Sequence, residues 1–517
     1  MSLGLFDVLG PVMHGPSSSH TGGANRIGYL AGRLMGGVPE QVSFGFHPAY
    51  MGSYRGQQSH VALLAGCLGL REYEPESRRA VELAAQQGML WGAKPIEDIQ
   101  RSRNTMDVHS FVAGQPHSVK GESVGGGNIR ISEVDGLPVT LTGNEYVLLL
   151  EGEKALVNRA IAEVKEADDS GLQQAVDGPN PRGEHLGILV FSKEPPAGVI
   201  RQEKGLSCRQ VEPIFPFRDR GEEPLCKTFE ELLTLAQDTE ISELAISYEA
   251  ERSGVSRERV LKEGRFLVKV MKTALEEAER EGTETIGGLT DPEDGRRLLA
   301  WSKTGEGPVN GLFTLALARA MLLGERNAGA CRVVACPTGG AAGALPGALI
   351  TAAERYDRDE EALARAFLVA ALTGVLIGNQ ASFSGTVGGC QSEIGIGAAM
   401  GAAGVAYLAG GGPEAIVHAA ALTLKNLLGL TCDPPASPVE VPCIKRNAMG
   451  AAMAFFGADL ALGGIRSAIT PDDVVLALAD TQARMPMELK FSHKGGLATT
   501  PSGRALKARW EERLKKL

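Results

Sequence analysis

Long uninterrupted hydrophobic runs are scarce in this sequence, and none is expected to span a bilayer. Between Arg365 and Glu393 there is no charged residue, but the apolar first half, A-F-L-V-A-A-L-T-G-V-L-I-G, gives way to Asn379, Gln380, Ser382, Ser384 and Thr386. Its 13 residues read as a buried core helix, and no membrane is expected as a partner. An excess of positive charge is also missing: the formal net charge is −10, and the only basic cluster of note lies in the C-terminal tail. Nucleic acid and anionic lipid are therefore not expected partners. The opening M-S-L-G-L-F-D-V-L-G has no basic n-region and carries Asp7, so a signal peptide is not expected. The 8 cysteines among 517 residues follow no pairing pattern, which argues against a disulfide framework and for a reducing cytoplasm. Repeats are lacking as well. Glycine nonetheless supplies 66 of 517 residues, nearly twice the ordinary ~7%, so tight turns and close helix contacts are its expected use.

The pattern divides into three expected parts, a multidomain chain with boundaries at 1–143, 144–225 and 226–517. The first is α+β: helical periodicity over 20–34 (Ile27, Leu30, Leu34), a helix after Ser59, and strands at 41–46, 128–133 and 139–142. The second reads as strand 146–150, helix 154–167 and strand 186–191, the outline of a small βαβ regulatory module. A Pro-, Arg- and Glu-rich linker follows over 194–223. From Phe229 onward an all-α domain is expected, closed by an amphipathic helix with Leu506, Trp510 and Leu514 on one side.

Three cysteines stand out in that last part. Cys390, Cys432 and Cys443 lie in G-G-C-Q, T-C-D-P and V-P-C-I, separated by 41 and then 10 residues, each beside turn-forming Gly or Pro. No cysteine follows Cys443. Three thiolates without a fourth partner suit a metal or cluster with one open position, where Lewis-acid chemistry becomes available. On spacing alone, three buried structural thiols explain the pattern better, because free cysteine is among the most buried residue types. Cys336, in C-P-T-G-G-A-A-G-A-L-P-G, is a distant candidate for a fourth ligand. The run G-P-S-S-S-H-T-G-G-A-N-R-I-G puts Ser17, Ser18, Ser19, His20 and Thr21 at a helix start, where N–H groups and hydroxyls attract a carboxylate. A plain N-cap would need only one of those residues. S-V-G-G-G-N at 123–128 is a weaker glycine cluster.

Together these elements resemble the iron–sulfur-dependent L-serine dehydratases (L-serine ammonia-lyases), with a β part and an α part fused in one chain. The resemblance rests on the serine loop, S-V-G-G-G, G-L-T, the P-T loop, N-Q-A-S-F-S-G-T-V-G-G-C-Q-S-E-I-G, L-G-L-T-C-D-P, V-E-V-P-C-I-K-R-N-A-M-G and G-G-L-A-T-T-P-S-G-R. It implies that Cys390, Cys432 and Cys443 hold a [4Fe–4S] cluster with one open iron, and that no pyridoxal phosphate is used. It also implies an ACT-like middle module, an all-α cluster-binding domain, a cytoplasmic homodimer and an amino-acid substrate. The open iron would take the substrate hydroxyl. Ser17, Ser18, Ser19 and Thr21 would hold its carboxylate, helped by Asn379, Ser382 and Ser384.

Where the family reads R-G-H-G-T-D, with the histidine as proposed base, this chain reads R-G-Q-Q-S-H. Gln57 stands at the base position and an amide cannot abstract a proton. His60, three residues on and expected on the same helix face, is one replacement candidate, and His20 is another. The family's H-P-N-T element is represented by His109-Ser110, and Gly339 stands where the P-T loop carries asparagine or alanine. These departures favour the same reaction type, on L-serine or a relative of it. A desulfidase acting on a cysteine-like substrate and a non-catalytic amino-acid or redox sensor are the alternatives. His14 flanks the serine loop, His47 reads as a structural turn histidine rather than a pocket residue, and His418 and His493 carry no partner pattern.

Overall fold

The computed structural model describes residues 2–166, 171–196 and 203–516. Contacts divide the chain into two compact units. One comprises Met1–Ser19, Arg55–Gln57 and Gly221–Leu517; the other comprises His20–Tyr54 and Gln58–Arg220.

The second unit is built on a six-stranded sheet. Its strands run in the order Leu90–Pro95, Gln41–Phe46, Thr105–Val112, Gln115–Gly125, Asn128–Val134 and Leu137–Leu141, and only the first pair is parallel. Alternation in Q-V-S-F-G-F sends Val42, Phe44 and Phe46 to one face. There they meet Ile27, Leu30 and Leu34 of the helix Gly23–Met35 and Leu63 and Leu64 of the helix Ser59–Cys67. These helices nearly touch. A Cβ on Gly28 would lie 2.3 Å from the Leu63 carbonyl, and one on Gly66 would lie 2.2 Å from that of Asn25. Glycine is required at both points.

A four-stranded, wholly antiparallel sheet completes this unit, in the order Leu206–Val211, Tyr146–Gly152, His185–Phe191 and Leu172–Pro179. The helix Lys154–Glu166 covers it with Val157, Ile161 and Val164. The expected βαβ outline thus lacked two strands. Leu206–Val211 falls inside the expected linker; as a largely exposed edge strand of polar residues it carries almost no hydrophobic alternation. Residues 197–202 of that linker, and Ala167 at the expected helix end, lie outside the described residues. Arg182 ties the two sheets together, donating to Asp135 and Glu151 while only 7% exposed.

The first unit is a helical assembly around an alanine- and glycine-rich core. Glu360–Gly378, Ile396–Leu408, Pro413–Lys425 and Cys443–Leu462 are its central helices. Glu360–Gly378 is the one helix among the described residues long and apolar enough to cross a membrane, and 78% of that stretch is buried in the core, as the sequence suggested. The part is not purely helical. Val12–His14 pairs antiparallel with Arg332–Val334, a strand too short to show in the sequence pattern. Leu5, Val8 and Leu9 enter the same core, and the Glu249 carboxylate accepts from the Leu5 N–H at 2.6 Å. Pro501–Leu514 is the expected closing helix; its Trp510 packs on Leu289 and Ala436, with Leu506, Leu514 and Val441 at the margin.

Candidate metal centre

The three cysteines reach the site from three kinds of backbone. Cys390 precedes the π-turn Gln391–Gly395, Cys432 lies in an extended segment bridged to Lys490, and Cys443 opens the helix Cys443–Leu462. Side chains from one loop lock the next. Gln391 accepts from the Gly429 N–H at 2.9 Å and donates to Gly388 O, fixing the Cys390 turn beside the segment that leads to Cys432. Arg446, one turn beyond Cys443, donates to Cys390 Sγ at 3.2 Å, to Thr431 O and to Asp433. Asn447 accepts from the N–H groups of Gly343 and Ala344 and donates to Gly340 O, joining the cysteine helix to the P-T loop.

Ligand atoms of Cys390, Cys432 and Glu393 all lie within 4.8 Å of one another. The Cys390–Cys432 hydrogen bond and then Arg446 pull the Cys390 thiol below its ordinary range. That same hydrogen bond, together with burial, pushes Cys432 well up, and burial with the charge at Cys390 pushes Cys443 up. Of the three thiols, Cys390 is thus the one favoured towards thiolate. Burial raises Glu393 to about 7, against the pull of the Thr338 hydroxyl, which donates to Oε1 at 2.8 Å. Cys336 is fully buried and points its Sγ at Val334 O, 3.6 Å away.

The serine loop lies against this region within the same unit. Asn327 donates to Pro16 O at 2.7 Å, and a Cβ on Gly339 would fall 2.9 Å from the Ser18 N–H nitrogen and 3.3 Å from Asn327 Oδ1. Gly339 is thus where the two loops touch, and an alanine there would force the backbones apart. Ser18 Oγ and Asn327 Oδ1 are both buried without a hydrogen-bond partner. Ser382 is bonded through its backbone to Gln482, and the Ser384 and Thr386 hydroxyls bond each other at 2.8 Å. Asn379 is exposed at a helix end and donates to Lys227 O.

Gln57 and His60 do not share a helix face. The helix starts at Ser59 after a left-handed Gln58 (φ 55°), so the two side chains part company. Gln57 is buried and donates to Ser437 O, within the cysteine-bearing unit. His60 belongs to the other unit, between the rings of Tyr54 and Trp91. In that unit His20 is buried, stacked on Tyr50 at 4.5 Å, with Nε2 3.1 Å from Asn104 Oδ1. Burial lowers it to about 4. His109 sits on the sheet in the row Ser43, His109, Ser118, lining a cavity of about 330 Å³ with Lys94 and His117. His47 caps a turn through Ala49 N–H, a structural role.

Sequence reasoning passed over Glu393, Arg446 and Asn104. The first two follow Cys390 and Cys443 by three residues, a spacing that brings side chains together on a helical turn.

Glu440 shows how firmly the Cys443 loop is held. It is fully buried and accepts from the N–H groups of Gly287 and Leu289, in and beside the G-L-T element. Glu440→Ala leaves both donors unpaired and is expected to cost about 2–4 kcal/mol in urea denaturation. A loss below about 1 kcal/mol would show that the loop needs no such anchor.

Comparison with known proteins places the chain among the ammonia-lyases. Residues 236–498 match the family described as serine dehydratase alpha chain. A probable L-serine dehydratase alpha chain of Bacillus subtilis is 38% identical over 282 residues, 54% of this chain and 93% of that protein. The L-serine dehydratase alpha chain of Peptoniphilus asaccharolyticus is 34% identical over 271 residues, 52% of this chain and 91% of its own. An L-serine dehydratase of Streptomyces coelicolor is 34% identical over 288 residues, 55% and 61% of the two chains. The chain belongs to the serine dehydratase alpha-chain family.

Proposed function

We propose that this chain is a [4Fe–4S]-dependent lyase that removes water from a small β-hydroxy α-amino acid, L-serine or a close relative, to give a keto acid and ammonia. The observation that carries the reading is the convergence of Cys390, Cys432 and Cys443 in one unit, with the unpaired Ser18 Oγ and Asn327 Oδ1 in the same unit. Buried polar atoms without partners are costly unless a ligand completes them. Ser18 Oγ can donate to a substrate carboxylate, and Asn327 Oδ1, which can only accept, suits an ammonium group. The donor set fits the cluster: three thiols from three loops, one of them already favoured as thiolate. When bound, the cluster supplies a Lewis acid that draws charge from the departing hydroxide.

The chain's own residues do the rest. Hydrogen-bonded through Nε2 to the Asn104 carboxamide and lowered to about 4 by burial, His20 stays neutral at ordinary pH, as a general base must. It follows Ser19 directly in the chain. Abstraction of the α-proton and departure of hydroxide leave an enamine, which tautomerises and hydrolyses. His20 is therefore the first choice as base, with His60 the second and Gln57 a polar neighbour. Ser17, Ser19, Thr21, Ser382 and Ser384 frame the carboxylate, and His109 and Asn379 are outer candidates. A cytoplasmic homodimer, an ACT-like character for 144–225 and the three-part division at 143 and 225 belong to the same reading.

The test is anaerobic purification followed by iron and sulfide analysis, a visible spectrum before and after L-serine, and turnover of a panel of β-hydroxy and β-thiol amino acids. A spectral change on adding L-serine, with turnover, is expected. Turnover of L-cysteine alone would favour the desulfidase reading, and no turnover of any compound would favour the sensor.

A further inference from the structure

We infer that Glu393 is a fourth protein ligand of the cluster, closing the open iron through Oε2 until substrate takes that place. The inference rests on the cluster reading above and names a residue that the cysteine pattern does not include.

Position is the first argument. Cys390 caps a π-turn and Glu393 lies within it, a widened helical turn of the kind that gathers at functional sites. The carboxylate joins Cys390 and Cys432 in one donor group with no pair more than 4.8 Å apart. Orientation is the second. Oε1 is taken by the Thr338 hydroxyl, while Oε2 lies 2.6 Å from the place where a Cβ on Gly385 would be, a point itself 3.6 Å from Cys432 Sγ. Oε2 therefore faces the thiols. A Cβ on Gly340 would crowd the other oxygen at 3.3 Å, so glycines on both sides make the room this carboxylate occupies.

Charge is the third argument. Arg446, the cation of this pocket, gives its donors to Cys390, Thr431 and Asp433. Among the described residues that leaves Glu393 with one neutral hydrogen bond. A half-buried carboxylate beside thiols, with no cation donating to it, is suited to a metal. Carboxylate oxygen is also a labile partner for iron beside three thiolates, so it can yield to a substrate hydroxyl where a fourth cysteine would resist. The displacement is a simple exchange: the Oε2–iron bond breaks as the substrate oxygen–iron bond forms, with no change of oxidation state.

The experiment uses full-length protein labelled with [5-13C]glutamate, reconstituted anaerobically with ferrous iron and sulfide and reduced for electron–nuclear double resonance. A 13C coupling to the cluster is expected in the unmodified chain, lost on adding L-serine and absent from Glu393→Ala. A full iron and sulfide content with no 13C coupling overturns the inference while leaving the cluster reading intact; so does a coupling that survives in Glu393→Ala. Failure of the unmodified chain to assemble any cluster overturns both. Because the unmodified chain alone decides the main outcome, poor folding of the variant does not blunt the test.

Discussion

Cys432→Ser is expected to give a colourless protein with less than about a thousandth of the parent turnover. Serine is nearly isosteric, but its hydroxyl stays protonated where a thiol can become a thiolate ligand. The position is held independently of any metal: Cys432 N–H donates to Leu489 O at 2.8 Å, and Phe491 N–H donates to Cys432 O at 2.7 Å. The fold should therefore survive, which circular dichroism and thermal melting would confirm. Cys336→Ser is the control, since this equally buried thiol points at a backbone carbonyl rather than at the other three. It should keep its iron and its colour. Equal iron and sulfide in Cys432→Ser and the parent would remove the basis for the cluster.

The second large effect is expected at His20. His20→Ala should lower kcat by about 10²–10⁴-fold, the usual contribution of a positioned general base, while KM moves little. Asn104→Ala should lower it less, because Asn104 acts only through its hydrogen bond to the ring. The pH dependence separates this imidazole from an ordinary one. Its pKa of about 4 in the folded chain lies below the free value of 6.5, so the base form persists through mild acid. The acid limb of kcat/KM from this group should sit near pH 4 rather than 6.5. Stability has a matching sign. Between those values the unfolded chain binds the extra proton, so folding stability is complete above about pH 6.5 and falls as pH drops towards 4. His60→Ala is the decisive comparison: if it removes turnover and His20→Ala does not, the base is the histidine of the aromatic group with Tyr54 and Trp91.

Much of the fold could be read from the residues because its signals were long and periodic. Gln41–Phe46 alternates cleanly, the helix Glu360–Gly378 is almost wholly apolar beyond Arg365, and Pro501–Leu514 carries Leu506, Trp510 and Leu514 in one stripe. Among the strands that escaped, Leu206–Val211 lies exposed at an edge and Arg332–Val334 is three residues long, so each has a weak pattern. At the site, the thiols were legible because cysteine beside Gly and Pro is rare and chemically pointed. Their neighbours were not, because Glu393 and Arg446 acquire meaning only when three distant loops meet. The expectation that Gln57 and His60 share a helix face failed for a local reason, since Gln58 takes a left-handed conformation and the helix begins only after it.

The cysteine-bearing unit is discontinuous along the chain, and this has a bearing on how the protein is made. Its first strand leaves the ribosome some three hundred residues before Arg332–Val334, the partner it must pair with. Leu5, Val8 and Leu9 wait equally long for the helices that cover them. All of the other unit, residues 20–54 and 58–220, is synthesised in that interval and can fold while the opening segment is still unpartnered. The strand pair and the core around Leu5, Val8 and Leu9 close only after those later segments have been made, so the cysteine-bearing unit is completed after the other unit has had time to fold.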